Sequence, residues 1–135
     1  MREYKLKIDT PEGTVFSGGV ISVIFESEDG SVGILNKREQ GIIALVPGRI
    51  RITFPEGGTR QGATSSGVVV VEKERVHILT DDMLWEEEID VDRQRQNLKI
   101  LRERLFHEKQ MLHREYVLAA AAFARASARL KVKGT

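Results

Sequence analysis

Cysteine is absent from the 135 residues of this chain, and proline occurs only three times. Without thiols the chain can form neither a disulfide framework nor a thiolate metal site, and redox chemistry on the protein itself is not expected. An apolar run near the ~20 residues that a membrane-spanning helix requires is also missing. We therefore expect a soluble protein that is compatible with a reducing cytosol.

The N-terminus has no pattern of a targeting segment. Residues 1–10 alternate polar and apolar side chains, whereas a secretory signal peptide has a basic patch followed by an apolar run. With 41% hydrophobic residues, the chain can bury one core and carry a small appendage, but it is too short for two full domains. The composition thus predicts one domain plus a tail.

Glycine and proline are concentrated in the first half of the chain. No glycine occurs between Gly67 and Gly134, and no proline follows Pro55. Before these limits, short apolar segments alternate with Gly, Pro and Asp breaks, which is typical of strands. The predicted strands include residues 4–9, 15–16, 20–25, 32–35, 42–46, 50–54, 59–65, 68–72 and 75–79. Eight or nine short strands indicate an all-β sandwich or a flattened barrel.

The second half has the periodicity of helices. Two apolar series step by three and four residues, which places each on one helix face. The series are Val91, Gln94, Leu98, Leu101, Leu105 and then Leu112, Tyr116, Ala119, Phe123, Ala126, Leu130. The spacing predicts an antiparallel helical hairpin that turns near residues 107–110. Since these four residues include no helix breaker, one continuous helix from about Asp90 to Val132 remains open.

Charge divides the chain at the same place. Residues 1–92 hold 10 Lys plus Arg against 17 Asp plus Glu, a balance of −7, and residues 93–135 hold 11 against 3, a balance of +8. Such asymmetry favours an acidic partner for the C-terminal segment, although mutual attraction of the two halves is the alternative. We predict an all-β sandwich domain over residues 1–82 followed by an α-helical hairpin over residues 83–135.

No residue pattern predicts catalysis or a metal site. His77 lies in a predicted strand, and His107 and His113 are six residues apart, on different helix faces. A Gly-rich loop leading into Gly-Lys-Ser/Thr is missing. The acidic run Glu86–Glu88 points its carboxylates in different directions, as at a solvated helix start.

Nucleic-acid binding is not indicated either. The aromatic residues of the basic segment are Phe106, Tyr116 and Phe123, and they fall on or beside the apolar stripes. A platform for stacking bases is therefore not expected. An acidic protein surface suits the basic segment better.

Seven ordered segments resemble those of one known family. They are Tyr4–Gly13, Phe16–Gly18, Gly30–Leu35, Leu45–Ile52, Val76–Asp81, Ile89–Arg93 and Arg125–Val132. Together they resemble the epsilon subunits of bacterial and chloroplast F-type ATP synthases. The resemblance implies a β-sandwich seated on the gamma subunit and the membrane c-ring, with a helical hairpin that switches between a folded-down and an extended form.

The same resemblance implies a function. The implied function is that of a non-catalytic rotor subunit in the central stalk of a proton- or sodium-transporting ATP synthase, which would couple the catalytic head to the c-ring and inhibit ATP hydrolysis. The implied location is the cytoplasmic face of the bacterial inner membrane, peripheral and without a membrane segment of its own, in preference to the chloroplast thylakoid.

The resemblance also assigns contacts to particular positions. Extended family helices place basic residues against an acidic segment of the catalytic beta subunit, and the matching residues here are Arg114, Arg125, Arg129, Lys131 and Lys133. Ser31 and Arg38 are the counterparts of residues that contact the c-ring. The loop at residues 35–41 lacks the two prolines and the histidine that are usual in the family, so the chemistry of that contact differs.

Some bacterial members of the family bind regulatory ATP in the folded form, and no other cofactor is implied. The resemblance assigns ATP to Ile89, Asp90 and Arg93 on the first helix and to Arg125 and Arg129 on the second. Gln94 stands where the family usually has alanine. The alternative is that Asp90 caps the helix and Arg93 is solvated.

A different class of function stays open from the residues alone. In this alternative the chain is an adaptor, whose sandwich binds a small ligand and whose helices self-associate as a coiled coil. The apolar residues that would carry self-association are Leu98, Leu101, Phe123 and Leu130.

Overall fold

The computed structural model describes residues 3–36, 39–107 and 113–134, in which strands precede helices. The strands are β1 (Tyr4–Thr10), β2 (Gly13–Val20), β3 (Ser22–Ser27), β4 (Gly30–Ile34), β5 (Gly41–Leu45), β6 (Gly48–Thr53), β7 (Thr59–Thr64), β8 (Gly67–Val71), β9 (Arg75–Thr80) and β10 (Met83–Trp85). The helices are α1 (Val91–His107) and α2 (His113–Val132). The predicted fold class, a β-sandwich followed by a helical hairpin, is confirmed.

The strands form two layers. One layer has the order β10-β7-β6-β3, with β4 on the other side of β3, and the second has the order β5-β8-β9-β1-β2. The layers join where Ser27 of β3 pairs with Leu45 of β5. Strands β1 and β9 are parallel, and the other pairings are antiparallel.

Alternating side chains fill the space between the layers. In β1 the buried residues Tyr4, Leu6 and Ile8 alternate with exposed or half-buried ones. Because successive strand residues point to opposite faces, one face of each strand can join a shared core. The Tyr4 hydroxyl donates a hydrogen bond to the Ile34 carbonyl oxygen at 2.6 Å, so the polar end of this buried ring is satisfied.

The short strand β10 was not predicted. Met83 pairs with Thr64 and Trp85 pairs with Gly62 of β7, which continues the sheet beyond residue 82. Both Met83 and Trp85 are buried. A three-residue strand is too short to display alternation, and it follows two aspartates that read as a break.

The helices form an antiparallel hairpin and not one continuous helix. Arg104 of α1 lies 3.8 Å from Glu115 of α2, and the Arg102 guanidinium lies 6.0 Å from the Phe123 ring. Of the predicted turn at residues 107–110, positions 108–110 lie outside the described residues. The ambiguity left by the missing helix breaker is resolved in favour of the hairpin.

Helix α2 lies against the sandwich in the folded-down form. It contacts β6 and β7, and Val132 joins Ala63 and Ile89 in a small buried cluster beside Leu84. The buried residues of α2 are Ala119, Ala126, Ala128, Leu130 and Val132. Four of these five lie in its last seven residues, so the attachment is concentrated at the C-terminal end of the helix.

Gly67 provides a test of the sheet register. A Cβ at this position would overlap the Leu79 carbonyl oxygen and lie 2.8 Å from the Thr80 Cα. We expect Gly67→Ala to lower the free energy of unfolding by roughly 2–3 kcal/mol, because backbone atoms of β9 cannot move aside cheaply. Urea unfolding followed by circular dichroism measures the loss.

The matched control for this substitution is Gly41→Ala in β5. A Cβ there meets no atom within 4 Å, and the glycine does not have a positive φ. We expect a change within about 0.5 kcal/mol. Equal losses in the two variants would contradict the register of β8 and β9.

Candidate functional site

A cleft of about 270 Å³ lies between the two helices. Its lining includes Gln94, Asn97 and Leu101 of α1 and Arg125, Ala126 and Arg129 of α2. The cleft exists because α2 presents alanines to α1, and alanine has no side chain beyond Cβ to fill the space. The cleft combines an apolar wall with amide and guanidinium groups.

Arg129 is the best-anchored cation of the cleft. Its Nη2 lies 2.6 Å from Asp82 Oδ2, and the Arg129 side chain is 13% exposed. The other carboxylate oxygen of Asp82 accepts a hydrogen bond from the Met83 backbone N–H at 2.9 Å. The carboxylate is therefore held in place at the start of β10, and it receives the guanidinium as a charge-assisted hydrogen bond.

Burial lowers the pKa of the Arg129 guanidinium, and the Asp82 charge opposes this effect. The positive charges of Arg125 and Arg93 lower the pKa further. Arg125 and Arg129 both line the cleft, so α2 supplies it with two of the arginines assigned to ATP. Arg93 does not line the cleft.

Ile89 and Asp90 have other contacts. Ile89 is 5% exposed and packs with Ala63 and Val132. The Asp90 carboxylate accepts a hydrogen bond from the Arg93 backbone N–H at 3.2 Å, which is the geometry of a helix N-cap. Arg93 itself is exposed. Asp90 therefore caps α1 in this structure.

Gln94 is the buried polar residue of the cleft. It is 3% exposed, and its Oε1 has no hydrogen-bond donor among the described residues. In the sequence, position 94 lies on the apolar stripe of α1, and it holds glutamine where the family usually has alanine. The unpaired carbonyl could be recognised only from the packing of α1 against α2.

The remaining basic residues assigned to the beta subunit are spread along α2. Arg114 is exposed in its first turn and Lys131 is exposed in its last turn. The Lys131 carbonyl oxygen accepts a hydrogen bond from Arg49 Nη2 at 3.1 Å, and Lys133 follows the helix end, half-buried. Since a helix rises ~1.5 Å per residue, these cations do not form one site in the folded-down hairpin.

Of the two residues assigned to the c-ring, Ser31 is described and Arg38 lies outside the described residues. Ser31 is exposed on β4, and its hydroxyl donates a hydrogen bond to Glu26 Oε1 at 2.6 Å. The hydroxyl is therefore held by its own hairpin.

The acidic run Glu86–Glu88 forms a single 3-10 turn. Its carboxylates accept hydrogen bonds in sequence order from Gln61 at 2.9 Å, Arg60 at 2.7 Å and the Trp85 backbone N–H at 2.9 Å. The Arg60 guanidinium also lies 3.7 Å from the centroid of the Trp85 ring. Because each carboxylate has a different partner, the three carboxylates diverge as predicted. Their hydrogen bonds hold in place the segment at which the chain leaves the sandwich.

One apolar surface was missed from the sequence. Ile42, Val68 and Leu79 are 73%, 36% and 40% exposed on the adjacent strands β5, β8 and β9, and Val68 pairs directly with Leu79. We call these three residues the outer apolar face. Its sequence signal is the run of four valines from Val68 to Val71, which supplies apolar side chains to both faces of β8.

A polar pair borders this face. Asp9, which pairs with Leu79, has Oδ2 at 2.6 Å from His77 Nε2. Hydrogen bonds from the Thr14 hydroxyl and then from His77 lower the pKa of the Asp9 carboxyl. The pair keeps a negative group next to the outer apolar face.

Two further searches concern the described residues alone. Within them, His, Cys, Asp and Glu side chains form no group of three or more that could hold a metal ion. Neither α1 nor α2, as far as they are described, is both long and apolar enough to cross a membrane.

The attachment of α2 can be tested through Asp82 and Arg129. We call this ion pair, together with the Ala63–Ile89–Val132 cluster, the latch. In a double-mutant cycle with Asp82→Ala and Arg129→Ala, we expect a coupling of about 1 kcal/mol in urea unfolding, because Asp82 is half exposed and solvent screens it. The coupling should weaken in 0.5 M salt, as expected for a screened pair.

Arg104 and Glu115 provide the control cycle. Both side chains are more than 40% exposed and their closest charged atoms are 3.8 Å apart, so we expect a coupling near zero. A coupling between Asp82 and Arg129 no larger than this control would contradict a role for the ion pair in holding α2.

Comparison with known proteins identifies the family to which this chain is related. Residues 3–86 match the family model described as ATP synthase, Delta/Epsilon chain, beta-sandwich domain. The ATP synthase epsilon chain of Ruminiclostridium cellulolyticum is 35% identical over 130 residues, which cover 96% of this chain and 95% of that one. The corresponding chain of Persephonella marina is 33% identical over 114 residues, which cover 84% and 83%.

Solved structures agree on the fold. A chain of the Euglena gracilis mitochondrial ATP synthase, solved as an OSCP/F1/c-ring assembly, superposes with a TM-score of 0.81 at 18% identity and covers 98% of this chain and 82% of that one. A chain from the central stalk/c-ring structure of the Tetrahymena thermophila mitochondrial ATP synthase gives a TM-score of 0.63 at 15% identity, covering 96% of both. From the family match and the near full-length relatives, the chain belongs to the ATP synthase epsilon chain family.

Proposed function

We propose that the sandwich of this epsilon chain docks on the gamma subunit and the c-ring in the central stalk, and that the helical hairpin inhibits ATP hydrolysis when it extends. The observation that carries the proposal is the latch. A segment with a charge balance of +8 is attached to the sandwich mainly through the end of α2, with one ion pair and a three-residue apolar cluster.

The latch supports a switch between two partners. In the folded-down form Arg129 binds Asp82, and Arg125 lies at the cleft. In the extended form both would face an acidic segment of the beta subunit together with Arg114, Lys131 and Lys133. A competing acidic surface can shift such an equilibrium only through its preference for one form. An acidic segment that meets all five cations at once would supply that preference, because Asp82 alone binds only Arg129.

The outer apolar face supports docking on the gamma subunit. Three large exposed apolar residues on neighbouring strands are typical of a protein interface. Ser31 and Arg38 are the proposed contacts to the c-ring. The location at the cytoplasmic face of the bacterial inner membrane follows from this assembly, and the coupling ion is that of the ring.

Regulatory ATP is a second element of the proposal. Arg125 and Arg129 line the cleft, and this pair of guanidinium groups suits a phosphate chain; Ile89, Asp90 and Arg93, at the start of α1, are the other proposed contacts. Since the cleft forms only when α1 and α2 pair, a ligand bound there would favour the folded hairpin.

The self-associating adaptor is less well supported, because Leu130 is 8% exposed and Leu101 already faces the cleft between the helices.

Docking on gamma can be tested with Ile42→Arg, at the most exposed residue of the outer apolar face. A charge within an apolar interface must be desolvated without a partner, so we expect the affinity for the cognate gamma subunit to fall by about tenfold or more. Isothermal titration calorimetry with purified gamma measures the change. Leu118→Arg, at an exposed apolar residue of α2, is the control and should bind as the wild type does; equal binding by Ile42→Arg would exclude this face.

Inhibition can be tested by removing the hairpin after Asp90. Cleavage after Asp82 would delete β10 and the buried Trp85, whereas residues 1–90 keep the whole sheet. We expect normal assembly and ATP hydrolysis that rises roughly two- to tenfold, because the inhibited form is lost. Hydrolysis by the reconstituted complex is the measurement, and an unchanged rate would reject inhibition by the hairpin.

A variant that removes positive charge but keeps both helices tests whether the basic residues cause the inhibition. Arg114→Gln, Lys131→Gln and Lys133→Gln together should reproduce most of the rise in hydrolysis. Arg95→Gln with Lys99→Gln, at exposed cations of α1, is the control and should leave inhibition intact.

A further inference from the structure

We propose that Arg49 of β6 is a positioning residue that holds the end of α2 on the sandwich. Its guanidinium caps the C-terminal end of α2 in the folded-down form and has to release that end before the hairpin extends. Arg49 thereby favours the folded-down form and opposes inhibition. This role deepens the proposed switch and rests on it.

The cap joins two parts of the chain that are far apart in sequence. Arg49 Nη2 donates a hydrogen bond to the Lys131 carbonyl oxygen at 3.1 Å, across 82 positions. Lys131 lies in the last turn of α2, where carbonyl groups lack an N–H partner within the helix. A cation at this end also interacts favourably with the partial negative charge of the helix C-terminus. The sandwich therefore supplies a charge-assisted cap to a helix that it does not contain.

The end of the helix leaves this carbonyl oxygen room for a second donor. Gly134, with a φ of 76°, turns the chain after α2, and its N–H donates a hydrogen bond to the Lys131 carbonyl oxygen at 3.0 Å. A carbonyl oxygen has two lone pairs, so the second one is available to Arg49. The bond from Gly134 moves with the helix, whereas the bond from Arg49 exists only while α2 lies on the sandwich.

The sheet register places Arg49 beside the apolar part of the latch. Arg49 pairs with Ala63 of β7. Ala63 is 1% exposed and packs with Val132 of α2, the residue that follows Lys131. The cap and the apolar cluster are thus neighbouring contacts, and lifting the end of α2 breaks both.

The cap stabilises one form of the hairpin only. In the extended form the Lys131 carbonyl oxygen has left, and Arg49 remains on β6. An interaction that exists in one of two forms shifts their ratio by its whole free energy. Because Arg49 is exposed and water competes for its donors, the expected effect is about threefold in the ratio of extended to folded-down chains.

The test compares Arg49→Met with Arg49→Lys in the full chain, by hydrogen exchange and mass spectrometry. Methionine keeps an unbranched stem but removes the donor and the charge. We expect the backbone amides of residues 126–132 to exchange about threefold faster in this variant, because a detached helix of 20 residues is only marginally stable in water. Lysine keeps a cation that can donate to the same carbonyl oxygen, so Arg49→Lys should retain most of the protection.

Arg51→Met is the matched control. Arg51 is exposed two residues further along β6, on the same face of the strand, and it pairs with Gln61 and not with Ala63. It should leave the exchange of residues 126–132 unchanged. The amides of β1 and β9, in the other layer of the sandwich, should be unchanged in all three variants.

Three results would overturn the cap. They are unchanged exchange of residues 126–132 in Arg49→Met, an equally large increase in Arg49→Lys, and faster exchange throughout the sandwich, which would make Arg49 a structural residue of the sheet.

The proposed inhibition is measured separately, as ATP hydrolysis by the reconstituted complex. Arg49→Met should lower the rate about twofold, because more of the hairpin is extended. If residues 126–132 exchange faster but the rate does not fall, the cap stands and inhibition by the hairpin fails.

Discussion

The attachment of the last turns of α2 to the edge of the sandwich determines the form of this molecule. The first turns of α2 are exposed, and its buried residues lie mostly between Ala126 and Val132. Besides its packing against α1, β6 and β7, this helix of 20 residues is held by three contacts: the ion pair from Arg129 to Asp82, the hydrogen bond from Arg49 to the Lys131 carbonyl oxygen, and one small apolar cluster. Partly exposed ion pairs contribute little and are screened by salt. The switch proposed above requires a pair of this kind to be broken.

Arg129 connects the elements of the proposed function because its guanidinium lies in both the latch and the cleft. In the proposed function, three anionic groups would compete for the Arg129 guanidinium. They are the Asp82 carboxylate, the phosphate of a bound ligand and the acidic segment of the beta subunit. Such competition couples the sites reciprocally, since a ligand that favours the folded form is itself bound more tightly by that form.

In the proposed switch, the sandwich is the part that stays fixed while the hairpin moves. At the end of the sandwich, Trp85 is 5% exposed and its ring lies under the Arg60 guanidinium. The three carboxylates of Glu86–Glu88 then bind three different groups of β7 and β10. A change of hairpin form must therefore begin after this turn, where Ile89 belongs to the latch and Asp90 caps α1.

The sequence alone determined the fold class, because the two-residue period of strands such as Tyr4–Thr10 and the three-to-four-residue step of α1 and α2 are local properties of the chain. It also determined the division of charge. Only the tertiary structure showed that the helices form a hairpin and not one long helix, and that β10 belongs to the sheet. It also brought Asp82 and Arg129 together, 47 positions apart in the chain, and buried the Gln94 carbonyl. Periodicity gives each element a face, but the groups that meet across the chain are set by the docking of whole elements, which no local pattern records.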